Sequence, residues 1–159
     1  MSQRVTTAGM YLCYCVETTS GTRPTTGYVK IPEVKSVPSF NNQPDTVEST
    51  TLEETEYRTY ETGLKSLDGS LGFTANLTDD LETAWNTLIS AHNTGAAASP
   101  AKATWFAIVH PKLAKATFWK GTPTPIGMDE AGVAAMAETT LYISLGSAPI
   151  RETKPTLAT

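Results

Sequence analysis

Apolar and polar positions along this chain follow a strand period in several segments and a helical period in one stretch. Met10 to Glu17 (MYLCYCVE) carries apolar groups on both alternate faces, which predicts a strand buried on two sides, and Gly27 to Ile31 predicts a second. Ser70 to Leu77 sets Leu71, Phe73, Ala75 and Leu77 against Ser70, Gly72, Thr74 and Asn76, so it predicts a strand with one solvated face. Thr104 to His110 and Ala116 to Lys120 are further strands joined through a turn at Pro111. The last segment, Val133 to Leu145, ends with Leu141, Ile143 and Leu145 alternating against Thr140, Tyr142 and Ser144. Residues after Ile150 read as a frayed tail.

The exception begins at Thr78. Leu81, Trp85, Leu88 and Ala91 fall on one stripe at helical spacing, predicting an amphipathic helix over about 79–93. Thr78 is the expected N-cap, and Asp79, Asp80 and Glu82 put negative charge at the positive end of the helix dipole. Gly95 is the expected stop. Strands that outnumber a single helix, joined by turns rather than by βαβ crossovers, predict a mainly β (α+β) fold: an antiparallel sandwich or barrel with the helix packed on or beside it. Trp85, Trp105 and Trp119 are expected in its core.

One region fits neither pattern. Residues 34–63 are too β-prone for a linker and too polar for a core, and Pro32, Pro38 and Pro44 break the path into them. In TVESTTLEETEYRTYE (residues 46–61) one strand face would carry Val47, Ser49, Thr51, Glu53, Thr55, Tyr57 and Thr59, and the other Glu48, Thr50, Leu52, Glu54, Glu56, Arg58 and Tyr60. Neither is apolar, so the strand has little to bury at home, and an exposed strand edge is a template for another chain. The segment is therefore expected to be an assembly arm that orders against a neighbour. Phe40, Glu48, Leu52, Glu53, Glu54, Tyr57 and Tyr60 are its candidate interface residues.

At 159 residues, 40% hydrophobic and 18% charged, the chain fits one globular domain, expected to span residues 1–150 with a flexible tail at 151–159. The net charge of −4 argues against gripping nucleic acid through its phosphates, which needs a basic patch. No apolar run approaches the roughly 18 residues that a membrane helix needs, and no signal-peptide pattern opens the sequence. Charge is unevenly placed. Residues 45–61 hold six carboxylates (Asp45, Glu48, Glu53, Glu54, Glu56, Glu61) against Arg58, whereas Lys102, Lys112, Lys115 and Lys120 lie in a stretch without any. An acidic arm meeting a basic face on Lys102, Lys112 and Lys115 of another copy would give head-to-tail register; solubility alone is the simpler reading.

Candidate chemistry is sparse. The nucleophile-elbow, P-loop, zincin and dinucleotide motifs are all missing. Of the acidic pairs, Glu53/Glu54 would point to opposite faces of a strand, Asp79/Asp80 starts the helix, and Asp129/Glu130 sits in a glycine-flanked turn. The expectation is a protein without enzymatic activity or cofactor. Cys13 and Cys15, two apart on a strand, have poor geometry for a mutual disulfide and read as reduced, buried thiols. With His92 and His110 they leave too few ligands for zinc.

Several segments together resemble the major tail tube proteins of long-tailed bacteriophages: the approach IPEVKSVPSFNNQPD, the run VESTTLEETEYRTYETGLKSLDGSLGFTANLTDD into a short helix, and the ending LYISLGSAPI. The resemblance is most specific from Ile31 to Leu77. It implies a subunit that forms rings, six-membered in that family, stacked into a hollow tube through which DNA passes without specific binding. It implies a place in the virion tail after assembly in the host cytoplasm, with the chain's own copies, tip or initiator, tape measure and terminator proteins as partners. An acidic bore would repel phosphates, and Asp68, Asp79, Asp80, Glu82, Asp129 and Glu130 are the candidate lumen residues. A secretion-system tube protein and a monomeric β-sandwich binding module for carbohydrate or peptide are the alternative readings.

Overall fold

The computed structural model describes residues 4, 6–41, 44–64, 69–128, 133 and 136–158. The chain divides into two compact units, Met1–Pro38 with Ser70–Thr159, and Ser39–Gly69. Its elements in chain order are β1 (Tyr11–Val16), β2 (Thr26–Ile31), β3 (Val34–Ser36), β4 (Thr46–Glu48), β5 (Tyr60–Thr62), β6 (Ser70–Asn76), α1 (Asp79–Ala96), β7 (Thr104–Val109), β8 (Lys115–Pro123), β9 (Glu138–Leu145), β10 (Ile150–Thr153) and β11 (Thr156–Leu157). The fold is mainly β with one helix, as the periodicity predicts.

The larger unit is one curled sheet in the order β11-β2-β1-β7-β8-β9-β6-β3, with β10 also on β8. The curl follows from β7, whose six residues are all buried, so that both faces of the central strand must be covered. One face is covered by the sheet itself. β2 and β8 stand three strand spacings apart, about 14 Å on a flat sheet, yet Tyr28 of β2 meets Phe118 of β8 edge to face with ring centroids 5.8 Å apart. They enclose a core with Cys13, Trp105, Ala107, Val109 and Ala116. The Arg23 guanidinium lies 4.3 Å from the Phe118 ring centroid.

The segment expected to fray is what bridges this curl. Ile150–Thr153 pairs antiparallel with β8, and after Lys154 and Pro155, Thr156–Leu157 pairs parallel with β2. Backbone amides continue the seam, from Lys154 to Ala114 O at 3.1 Å, Thr156 to Thr25 O at 3.1 Å and Ala158 to Tyr28 O at 2.8 Å. The bridged set is β2, β1, β7, β8 and the strap 150–157, an odd number of staves. Directions cannot alternate all the way round an odd ring, so one neighbouring pair must be parallel, and that pair is β11 with β2. Nothing in the local composition of IRETKPTL announces this, because the drive comes from the otherwise unpaired edges of β2 and β8.

The other face of β7 looks toward the helix. Trp119 is flanked by Phe73 and Phe106, with ring centroids at 5.9 and 5.8 Å and interplanar angles of 3° and 22°. Leu81, Trp85 and Leu88 of α1 are fully buried on this side, each worth about 1.5–3 kcal/mol in transfer free energy. Trp85 Nε1 donates to Thr124 O at 2.8 Å. All three tryptophans are core residues.

The helix starts as expected, with the Leu81 amide donating to Thr78 Oγ1 at 3.2 Å, but it runs three residues beyond 93. Gly95 does not stop it. A Cβ there would stand 2.9 Å from Val16 Cγ1 and 3.1 Å from Lys102 O, so the missing side chain permits close packing of the last turn on β1. The Lys102 amide donates to Gly95 O at 2.9 Å, and Ala97 is the C-cap.

Glu17 ties two loops and β7 together at the end of β1. Its carboxylate accepts from the Ala103 amide at 2.8 Å, Trp105 Nε1 at 3.0 Å and the Gly21 amide at 3.3 Å. Burial pushes its pKa up, but these hydrogen bonds and the nearby Lys120 charge outweigh burial and hold it below the ordinary glutamate value. No local sequence pattern marks this residue. Cys13 and Cys15 are free thiols, and burial together with the neighbouring Cys15 pushes the Cys13 thiol up to about 12, which suits an inert core residue.

β8 changes partners at Gly121, leaving β7 at Lys120 and pairing with β9 from Gly121 to Pro123. A Cβ on Gly121 would stand 2.5 Å from Ile143 Cγ2 and 2.9 Å from Ser144 O. Gly121→Ala therefore lowers stability by about 1–3 kcal/mol, the usual cost of overpacking. Gly69→Ala, where no atom lies within 4 Å of the added Cβ, changes it by less than about 0.5 kcal/mol. Urea unfolding of the two variants checks the contrast.

Candidate functional site

The smaller unit contains the predicted arm, with altered boundaries. Val34–Ser36 forms β3, paired with β6 in the larger unit, so the separate segment begins only after Pro38. The single strand expected over 46–61 is absent. β4 and β5 instead make a hairpin with Thr46 opposite Thr62, Val47 opposite Glu61 and Glu48 opposite Tyr60. The Ser49 amide donates to Thr59 O at 2.8 Å, and the Thr59 amide donates to Thr50 Oγ1 at 2.9 Å. A sixteen-residue strand with two polar faces has no apolar surface to lie on, so the threonine-rich chain satisfies its backbone by folding back on itself.

This hairpin buries little. Leu52, Tyr57 and Tyr60 are 106%, 79% and 54% exposed, and Val47 and Leu64 are 63% and 86% exposed. Phe40 is half-buried, while Glu48, Glu53 and Glu54 are exposed. The one ion pair seen among the described arm residues is long, Arg58 Nε to Glu48 Oε1 at 3.9 Å. A segment this poor in buried apolar contact has no core of its own.

The three lysines predicted as one basic face do not sit together. Lys102 precedes β7 and is tied by its backbone to the end of the helix; Lys112 and Lys115 lie past the other end of β7, roughly 20 Å away along a six-residue strand. Lys120 belongs with Lys102, since it pairs in register with Trp105 and its ammonium lies 5.4 Å from that ring. Lys112 and Lys115 instead acquire new neighbours: the strap adds Arg151 opposite Thr117 and Lys154 just past Thr153, which pairs with Lys115. This second cluster was not legible in the sequence, because 112 and 154 meet only through strand pairing. Asp79, Asp80 and Glu82 are exposed on the first turn of α1; Asp68, Asp129 and Glu130 lie outside the described residues.

A shallow cavity of about 420 Å³ is lined by Thr7, Met10, Leu12, Val34 and Val37 among others. Lys35, also on its wall, is engaged by Glu138. Among the described residues no three His, Cys, Asp or Glu side chains are grouped to hold a metal, and no helix is long and apolar enough to cross a membrane.

No family model matches the chain, and no curated protein matches it in sequence. Its fold is similar to that of a chain in the six-fold symmetrised cryo-electron microscopy structure of the anti-feeding prophage baseplate. The likeness has a TM-score of 0.58 at 7% identity and covers 96% of this chain and 98% of the other. It is a likeness of fold that extends over essentially the entire length of both chains.

The arm's exposure carries a direct consequence. Leu52→Ala, Tyr57→Ala and Tyr60→Ala shift stability of the isolated subunit by less than about 0.5 kcal/mol, because exposed side chains lose no packing. Thermal melts of dilute protein check this. A large drop in melting temperature would assign these side chains to the subunit's own core.

Proposed function

We propose that this protein is a structural subunit of a phage tail or phage-tail-like particle, self-associating into rings that stack head to tail around a bore. The observation that carries the reading is the fold likeness, nearly end to end, to a chain of a six-fold symmetrised baseplate. Two independent features support it: an arm whose large apolar side chains have no home in their own unit, and opposite charge on the arm and on the sheet unit. The resemblance of residues 31–77 to tail tube proteins favours stacking along a tube, and in that arrangement six copies per ring is the expected number.

Under this reading the subunit's work is geometric rather than catalytic. The curled sheet gives a stiff body, and the arm supplies the adaptable contact. Asp79, Asp80 and Glu82 are the described acidic groups available to a bore that DNA slides past, where like charge prevents sticking. A second reading, a ring that occurs once at the end of a tail, is favoured by the baseplate origin of the structural neighbour. Partners at the tail tip, within the bore and at the terminus belong to the same proposal.

Negative-stain electron microscopy of purified protein over a concentration series separates these outcomes. Rings that lengthen into tubes as concentration rises are expected. Isolated rings that never stack would favour the end-of-tail role, and monomers at every concentration would contradict self-assembly.

A further inference from the structure

The strap that closes the curled sheet also completes a charged rim. Lys112 is exposed on the turn between β7 and β8 and Lys115 is exposed at the start of β8; β10 lays Arg151, and Lys154 just past its end, beside them. Each strap cation is held by a neutral acceptor: Lys154 Nζ donates to Pro111 O at 2.9 Å, and Arg151 Nη1 donates to Thr117 Oγ1 at 3.0 Å. These acceptors carry no negative charge to offset the cations. None of the four makes an ion pair among the described residues. The nearby carboxylate, Glu152, is paired opposite Ala116 and shares its face, alternate to that of Lys115 and Arg151; Lys154 follows on the Glu152 side but turns its ammonium to Pro111 O at the β7–β8 turn.

The arm is the complement. Glu53, Glu54 and Glu56 crowd the loop of the hairpin beside the exposed Leu52 and Tyr57. Among the described residues only Glu48 finds a cation within the arm, and only at 3.9 Å. We propose that the rim formed by Lys112, Lys115, Arg151 and Lys154 is the docking surface for the acidic arm of a second copy of this chain. The inference rests on the self-assembling reading above and adds the surface that the arm meets. Leu113, 36% exposed in the same turn, gives Leu52 or Tyr57 an apolar contact inside the ring of charge. Opposite charges set register and encounter rate, while the apolar anchor supplies affinity. A heterologous contact of this kind continues from copy to copy.

Charge reversal with mixing tests the pairing. The arm variant carries Glu53→Lys and Glu54→Lys, and the rim variant carries Lys112→Glu and Lys115→Glu. Sedimentation velocity follows association of each variant alone, of an equimolar mixture and of wild-type protein, with thermal melts confirming folding. Each variant alone is expected to need at least about tenfold more protein than wild type to associate, since reversed charges at a docking surface cost binding. The mixture is expected to associate like wild type, because each variant then supplies what the other lacks. Lys102→Glu, at the far end of β7, leaves association unchanged. Folded variants that associate as well as wild type, or a mixture that does no better than its parts, would overturn the rim assignment while leaving self-assembly intact. Wild-type protein that never associates would instead overturn self-assembly, and the docking surface with it.

Discussion

Closure of the curled sheet by residues 150–157 is the constraint on which the rest of the molecule depends. Without the strap, β8 from Lys115 to Phe118 and β2 would each present an unpaired edge, and the core around Phe118 and Tyr28 would open along its seam. Because β10 must run antiparallel to β8 and β11 parallel to β2, the strap can join them only in a ring with an odd number of staves. That ring then fixes the position of everything attached to it: the helix on the Trp119 side, the β9-β6-β3 extension from Gly121, and the turn into β8 that displays Lys112, with Lys115 at the strand's start.

A stiff body of this sort leaves flexibility to the arm. Its hairpin satisfies its backbone through Ser49, Thr50 and Thr59, yet its large side chains contribute almost nothing to its own stability. In the proposed assembly such a segment would gain by ordering against a partner, with Leu52 and Tyr57 buried and the carboxylates meeting cations. The polar faces of the sequence and the exposure of Leu52 and Tyr57 in the structure both support this reading.

Much of the fold was legible because burial on a sheet writes a period-two pattern. β1, β2, β6 and β7 lie within a residue or two of their predicted limits, and the helix start was fixed by Thr78. What escaped was set by distant partners. The strap has no apolar rhythm and pairs because two edges await it. Among the described residues of the last long segment, the strand runs from Glu138, where β6 pairs with it. Gly95 resembles a helix stop in sequence but serves a close approach to Val16. Of the candidate site, the arm residues from Glu48 to Tyr60 stay together on one hairpin while Phe40 precedes it, whereas Lys102 parts from Lys112 and Lys115 because the intervening residues form a strand that carries them to opposite ends. Arg151 and Lys154 join the rim through pairing that no local motif encodes.

The central claim is that the exposed side chains of the arm find their partner in another copy of the chain. Hydrogen exchange of residues 39–64, measured on dilute monomer and again on the assembled particle, tests it most directly. Fast exchange across the arm in the monomer, slowed strongly on assembly while the amides of β1 and β7 stay protected in both, is the predicted result. An arm already protected in the monomer, or one still exchanging freely in the particle, would contradict the account.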